Sequence, residues 1–304
     1  MADAQVLRVY LDETDLARAV DGSFNIMNKI RSAFEGAGYR VEFVKSTAVE
    51  RAKSAACGGY ALFHMEDPFH SRALTLRRAY FYPFWRIESS AKRWEWQIAK
   101  TKFDPEAVNR KAADRFVANT RKRLFGEISE VETDSTVYIP LQGRLLDRRS
   151  FQTQSPLDMI RSVLAHEQDR EIVVGLHPNE AYTTEETDAL RDLADQNRRL
   201  TLSSEPMVKL LQRCDYVVTE NSSVALSGYF FEKPAVLFAQ IDFHHIAANV
   251  SALGAEAAIA SAPDLRPDFA GYLHWFLKKT TINGGAPEAE AQILAAVRCR
   301  GWKI

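Results

Sequence analysis

Residues 214–238 read CDYVVTENSSVALSGYFFEKPAVLF. The apolar run 216–220 has the length of a buried strand and closes on a polar cluster, Glu220-Asn221-Ser222-Ser223. A helix is predicted over 222–232 and a further strand over 234–239. Strand, polar turn, helix and strand make the repeating unit of a parallel α/β sheet. Upstream, EIVVGLHPNEAY (171–182) has the same form, with strand 171–177 ending at His177-Pro178-Asn179. Further back, VYIPLQGR (137–144) gives strand 136–142, followed by Gln142, Gly143 and Arg144. The intervening helices carry their own start signals. Ser155 caps 155–168 with Pro156 behind it, and Thr183 and Glu186 have capping-box spacing at the head of 183–197. A short strand at 200–203 and a helix at 206–214 complete the series.

The N-terminal part has a similar rhythm. Strand 5–12 ends in Asp12, and helix 24–37 places Ile26, Ile30 and Phe34 four residues apart. Strand 39–46, helix 48–56 and strand 60–65 follow, and Glu66 and Asp67 close the last strand. The rhythm then stops. Residues 68–90 are aromatic and Pro-punctuated, and helices are predicted over 91–100 and 105–125. Asp104 caps the second, Pro105 occupies its first position and Gly126 ends it. The acidic stretch 127–135 reads as a linker, and the tail as helices at 268–279 and 287–299. The expected fold class is therefore α/β. Two Rossmann-like lobes with parallel sheets cover 1–130 and 131–304, with a helical insertion at 91–125.

Composition narrows the function. Of 304 residues, 46% are apolar and 26% charged, which excludes disordered and coiled-coil classes. Cys57, Cys214 and Cys299 are odd in number and far apart, which argues against a disulfide framework or zinc knuckle. No leader peptide or membrane-spanning run is read, so the expected location is the cytoplasm or the inner face of the membrane. The chain has no G-x-G-x-x-G after its first strand, no P-loop, no G-x-S-x-G and no H-E-x-x-H. No nicotinamide cofactor and no metal are expected, and the adjacent His244-His245 reads as a loop feature.

Lys+Arg is 39 against 40 Asp+Glu, yet residues 72–125 hold 14 Lys/Arg and only 5 Asp/Glu. That segment also holds Tyr80, Phe81, Tyr82, Phe84, Trp85, Trp94 and Trp96. Such a stretch suits an anionic glycan or glycolipid acceptor, or a peripheral membrane contact. It suits equally a packed helix pair with a solvated basic side. It carries no nucleic-acid signature, and no nucleic-acid partner is expected.

In open parallel sheets ligands bind beyond the carboxyl ends of the strands. Three strands therefore bring Gln142, Gly143, Arg144, His177, Pro178, Glu220, Asn221, Ser222 and Ser223 to one rim. Hydroxyls and free N–H groups at the start of a helix suit a phosphate, His177 can donate to one, and Arg144 can neutralise one. The alternatives at single positions are a plain N-cap for Ser222, a satisfied strand-end histidine for His177 and a loop amide for Gln142.

The three quoted runs, in their order and spacing, resemble the C-terminal half of capsule-polysaccharide-type glycosyltransferases, over about residues 134–245. The resemblance implies a GT-B-like fold and a nucleotide-linked sugar donor, often a CMP-linked acidic sugar such as Kdo, used as substrate without a resident cofactor. It implies that His177, Ser222 and Ser223 lie on the donor side. Transfer also needs a base for the acceptor hydroxyl, expected at a strand end of the first lobe. Glu66 and Asp67 are the first candidates there and Asp12 the next. Two other classes stay open: a nucleotide-sugar epimerase-type enzyme on the same fold, and a non-catalytic binding or regulatory protein.

Overall fold

The computed structural model describes residues 5–127 and 133–304. Its strands are β1 (Val6–Leu11), β2 (Arg40–Lys45), β3 (Tyr60–His64), β4 (Ala73–Arg78), β5 (Phe84–Glu88), β6 (Thr136–Pro140), β7 (Glu171–Gly175), β8 (Leu200–Ser203), β9 (Tyr216–Thr219), β10 (Ala235–Leu237), β11 (Ala248–Asn249) and β12 (Ile282–Asn283). They form two six-stranded sheets in two compact units, 1–101 with 276–304, and 102–275.

In the first unit the strand order is β12-β5-β4-β3-β1-β2. The four strands β4, β3, β1 and β2 are parallel, whereas β5 runs antiparallel to β4 and β12 antiparallel to β5. Alternation along β1 sends Leu7, Val9 and Leu11 into the larger core. There they meet the helix Asn25–Gly36 through Ile26, Met27, Ile30 and Phe34. Tyr10 of β1 joins Ala61, Phe63 and Ala73 in a smaller cluster. The helix Ala289–Cys299 supplies Ile293 and Val297 to the larger core, and Trp302 stacks on Tyr60 at 4.3 Å.

One glycine in this unit is held by geometry. Gly59 has φ +80°, and a β-carbon there would lie 2.2 Å from the Val6 carbonyl oxygen. Gly59→Ala is expected to destabilise the chain by about 2–3 kcal/mol, from left-handed strain plus a clash with immovable backbone. Denaturant unfolding reads this directly, and a loss below ~0.5 kcal/mol would exclude it.

The second unit is wholly parallel, with strand order β11-β10-β9-β6-β7-β8. The chain lays down β6 at the centre, adds β7 and β8 on one side, then crosses to add β9, β10 and β11 on the other. This is the doubly wound 3-2-1-4-5-6 order of a Rossmann sheet. β6 and β9 are buried almost throughout, which explains their continuous apolar sequence.

Several expectations are corrected. The first sheet is mixed, because residues 68–90 supply β4 and β5. A helix not expected, Glu13–Val20, follows β1 directly. Only short 3₁₀ and α turns (Arg93–Glu95, Gln97–Lys100) stand in place of a helix at 91–100. Asp104 and Pro105 start a single 3₁₀ turn, and the long helix begins at Arg110 with Asn109 as its cap. That helix belongs to the second unit, so the boundary falls at 101/102 rather than near 130, and the last 29 residues return to the first unit. Of the expected linker 127–135, residues 128–132 lie outside the described residues. No helix among the described residues is long and apolar enough to cross a membrane.

Candidate active site

In the second unit the chain leaves β6 and β9 in opposite directions, so their carboxyl ends flank a crevice at the topological switch point. Residues 142–144 follow β6 and residues 220–223 follow β9. The two ends are tied by the Thr219 hydroxyl, which donates to the Pro140 carbonyl at 3.2 Å and accepts from the Ser222 N–H at 3.4 Å. The loop after β7 joins them. A β-carbon on Gly143 would lie 2.6 Å from Glu180 Oε2. All three expected segments therefore stand at one sheet edge.

Each residue has a defined setting there. Arg144 is exposed, with φ +65°. The Leu145 N–H beside it donates to buried Glu186 at 2.5 Å. His177 is half-buried, and Pro178 and Asn179 are exposed. The His177 N–H donates to the Tyr182 hydroxyl at 2.8 Å, and its Nδ1 accepts from the Asn179 N–H at 3.2 Å. An accepting Nδ1 leaves the ring N–H on Nε2, a donor for an oxyanion. Ser222 is buried and caps the helix Ser223–Gly228, its hydroxyl accepting from the Val224 N–H at 3.3 Å. Its plain N-cap reading thus holds, and Ser223 is the exposed hydroxyl of the pair.

Glu220 is the exceptional group. It is 3% exposed, and neither carboxylate oxygen has a hydrogen-bond partner. Burial pushes its pKa up to about 8, against the pull of Arg149. A buried polar group without partners is costly unless a ligand or water completes it. Two neighbours missed in the sequence share this condition. Gln152 Oε1 accepts from the Arg149 N–H at 2.7 Å and from Arg149 Nε at 3.3 Å, while Arg149 Nη2 and Gln152 Nε2 are buried without partners. Gln152 is bridged to Ala239, whose N–H donates to the Glu220 carbonyl at 3.1 Å. The only sequence signal for this loop was its arginine density in RLLDRRS (144–150).

The acids expected in the first unit have structural work to do. Asp12 caps the helix Glu13–Val20, accepting from the Asp15 N–H at 2.8 Å. Asp67 accepts from the Ala91 N–H at 2.6 Å, and Glu66 is half-exposed and pairs with Arg51 at 3.4 Å. The pair brought together at this sheet edge is instead His64 and Asp15, with Nδ1 and Oδ2 3.2 Å apart. His244 and His245 stack at 4.4 Å, and His245 Nδ1 meets the Tyr272 hydroxyl at 2.9 Å. Among the described residues no group of three His, Cys, Asp or Glu side chains could hold a metal ion.

Residues 82–284 match the family described as capsule polysaccharide biosynthesis protein. Among solved structures the chain is similar to the beta Kdo 2,7 transferase of Thermosulfurimonas dismutans KpsC. The identity is 12% and the TM-score 0.54, over 95% of this chain and 98% of that one. It is also similar to the beta Kdo 2,4 transferase of the same KpsC, at 12% identity and TM-score 0.45, over 79% and 81%. A third similar structure is UDP-GlcNAc 2-epimerase from Neisseria meningitidis bound to UDP-GlcNAc, at 11% identity and TM-score 0.38, over 97% and 99%. The first likeness shows a shared GT-B-like fold. No curated protein matches the chain.

Proposed function

The chain belongs to the capsule polysaccharide biosynthesis protein family, and from that premise we propose that it is a glycosyltransferase using a nucleotide-linked sugar donor. The observation that carries the reading is the switch-point crevice of the second unit. It combines the His177 imidazole, whose Nδ1 accepts from the Asn179 N–H, the Ser223 hydroxyl, the Arg144 guanidinium and the unpartnered Glu220 carboxyl at one edge. The first two and Arg144 suit the phosphate of a nucleotide. Glu220, kept protonated by burial, suits a hydroxyl or carbonyl of the donor. An acidic sugar such as Kdo is the donor class proposed, in keeping with the similar KpsC structure being a beta Kdo 2,7 transferase. The acceptor proposed is an anionic glycan or glycolipid. The helix Arg110–Phe125 supports that choice, because it exposes Lys111, Arg115, Lys122 and Arg123 and carries Asp114 as its only acid.

Thermal shift with CMP, UDP, GDP and their sugars tests the reading. A nucleotide at about 100 times its Kd stabilises by about 2.7 kcal/mol. His177→Ala and Ser223→Ala are each expected to weaken that nucleotide about tenfold, the worth of one hydrogen bond to a charged group. Unchanged affinity in both variants would exclude this site. A chain that binds a nucleotide sugar and converts it to its epimer, without transfer, would replace the transferase by the epimerase.

A further inference from the structure

The first sheet has its own switch point. Its parallel strands run β2-β1-β3-β4, so the connections diverge between β1 and β3, at whose carboxyl ends ligands bind in sheets of this kind. His64 is the last residue of β3. Asp15 stands in the first turn of the helix Glu13–Val20, directly after β1. Resting on the transferase reading, we propose that His64, oriented by Asp15, is the catalytic base that takes the proton from the acceptor hydroxyl.

Three observations support this role. First, the pair is fixed. Asp15 Oδ2 lies 3.2 Å from His64 Nδ1, and Asp15 Oδ1 accepts from Arg18 Nη1 at 2.8 Å. The Arg18 guanidinium in turn lies over the Phe24 ring at 4.3 Å. A carboxylate only accepts hydrogen bonds, so Nδ1 carries the proton and Nε2 the lone pair. Second, the imidazole is walled by Phe24 and Trp85, with ring centroids at 5.8 and 6.1 Å, yet 9% of the side chain stays accessible. Third, the charged neighbours favour the free base. Burial lowers the His64 pKa below the ordinary histidine value. The Asp15 and Asp12 carboxylates oppose that, while Arg78 and Arg77 on β4 reinforce it. A neutral imidazole at pH 7 with a carboxylate behind it is the form a general base needs.

The step balances simply. Nε2 takes the hydroxyl proton as the acceptor oxygen bonds to the anomeric carbon. The bond from that carbon to the phosphate oxygen breaks, and its electron pair leaves with the nucleotide. The imidazolium faces Asp15 until it returns its proton to water. His64 is the catalytic residue here, and Asp15 is a positioning residue.

The test measures nucleotide release from CMP-, UDP- and GDP-sugars with water as acceptor, alongside the nucleotide-induced melting shift. His64→Gln is expected to lower release about 10²–10⁴-fold while leaving the melting shift in place. Asp15→Asn is expected to lower release less and to move the acid limb of the pH–rate profile to lower pH, because Asp15 raises the His64 pKa. A purely structural pair would not move that limb. Release within about twofold of the unaltered chain in folded His64→Gln, or a stationary limb in Asp15→Asn, overturns the base. No release and no melting shift in the unaltered chain would instead bring down the transferase reading, and the base with it.

Discussion

Glu220→Gln is expected to make the ligand-free protein more stable, by about 3 kcal/mol at pH 7 and about 4–5 kcal/mol above pH 8. The reason is linkage. In the unfolded chain this carboxyl titrates at its ordinary 4.5, and burial pushes the folded value to about 8. A raised carboxyl pKa contributes stability that is present below the unfolded value and is lost as pH rises through the folded one. Each unit of the gap is worth about 1.4 kcal/mol. The side chain is 3% exposed, so solvent screening does little to shrink this. Gln has the same shape and no charge to desolvate. Melting curves from pH 4 to 9 should therefore coincide at the acid end and diverge upward for the variant. Because Gln, like the protonated carboxyl, offers one acceptor and a donor, the same substitution should change nucleotide-sugar affinity little, whereas Glu220→Ala should weaken it. Curves that stay parallel across the range would mean that Glu220 has partners in solution. A site built at the expense of stability is the pattern expected of a functional group.

The legibility of these features follows from their range along the chain. In the second unit the central strands are buried on both faces, so VYIP and YVVT stand out as apolar runs. The caps at Ser155 and Thr183 lie within three residues of the groups they satisfy. The carboxyl-edge rim could be placed for the same reason, since it needs only the strand ends and their order. β4 and β5 were hidden because their sequences carry Arg77, Arg78, Arg86 and Glu88 where a buried strand should be apolar. Arg86 is 5% exposed and donates to the Phe276 and Thr280 carbonyls, and Glu88 pairs with Arg300 at 2.7 Å. Those partners lie about 190–210 residues away, beyond any local pattern. His64 and Asp15 escaped for a related reason. The helix Glu13–Val20 was not expected after β1, so nothing in the sequence placed Asp15 at a strand end. Only the strand pairing that sets β3 beside β1 gives Asp15 a histidine.

Glu167→Ala is expected to cost about 3–5 kcal/mol, the price of stripping one partner from a buried charged network. Glu167 is 5% exposed and accepts from the Tyr216 hydroxyl at 2.7 Å, from the Asp169 N–H at 2.9 Å and from the Arg170 N–H at 3.3 Å. Arg170 lies beside it at 3.4 Å and binds Asp215 at 2.6 Å. Burial alone would raise the Glu167 pKa, but Tyr216, the two backbone N–H groups and Arg170 together hold it below the ordinary range. Alanine would leave a fully buried tyrosine hydroxyl at the first residue of β9, the strand that carries Glu220 and Ser222 to the crevice. A shift of about 10 °C is expected for a unit of this size. Glu167→Gln, which keeps an acceptor, should lose less. The pH dependence separates this carboxyl from Glu220. A depressed pKa gives stability that is present above the unfolded value and is lost as pH falls through the folded one. Glu167→Ala should therefore be least harmful in acid, where Glu220→Gln has no effect, and most harmful near neutrality. A melting temperature for Glu167→Ala within about 2 °C of the unaltered chain at pH 7 would show that Tyr216 finds another acceptor and that β9 does not depend on this network.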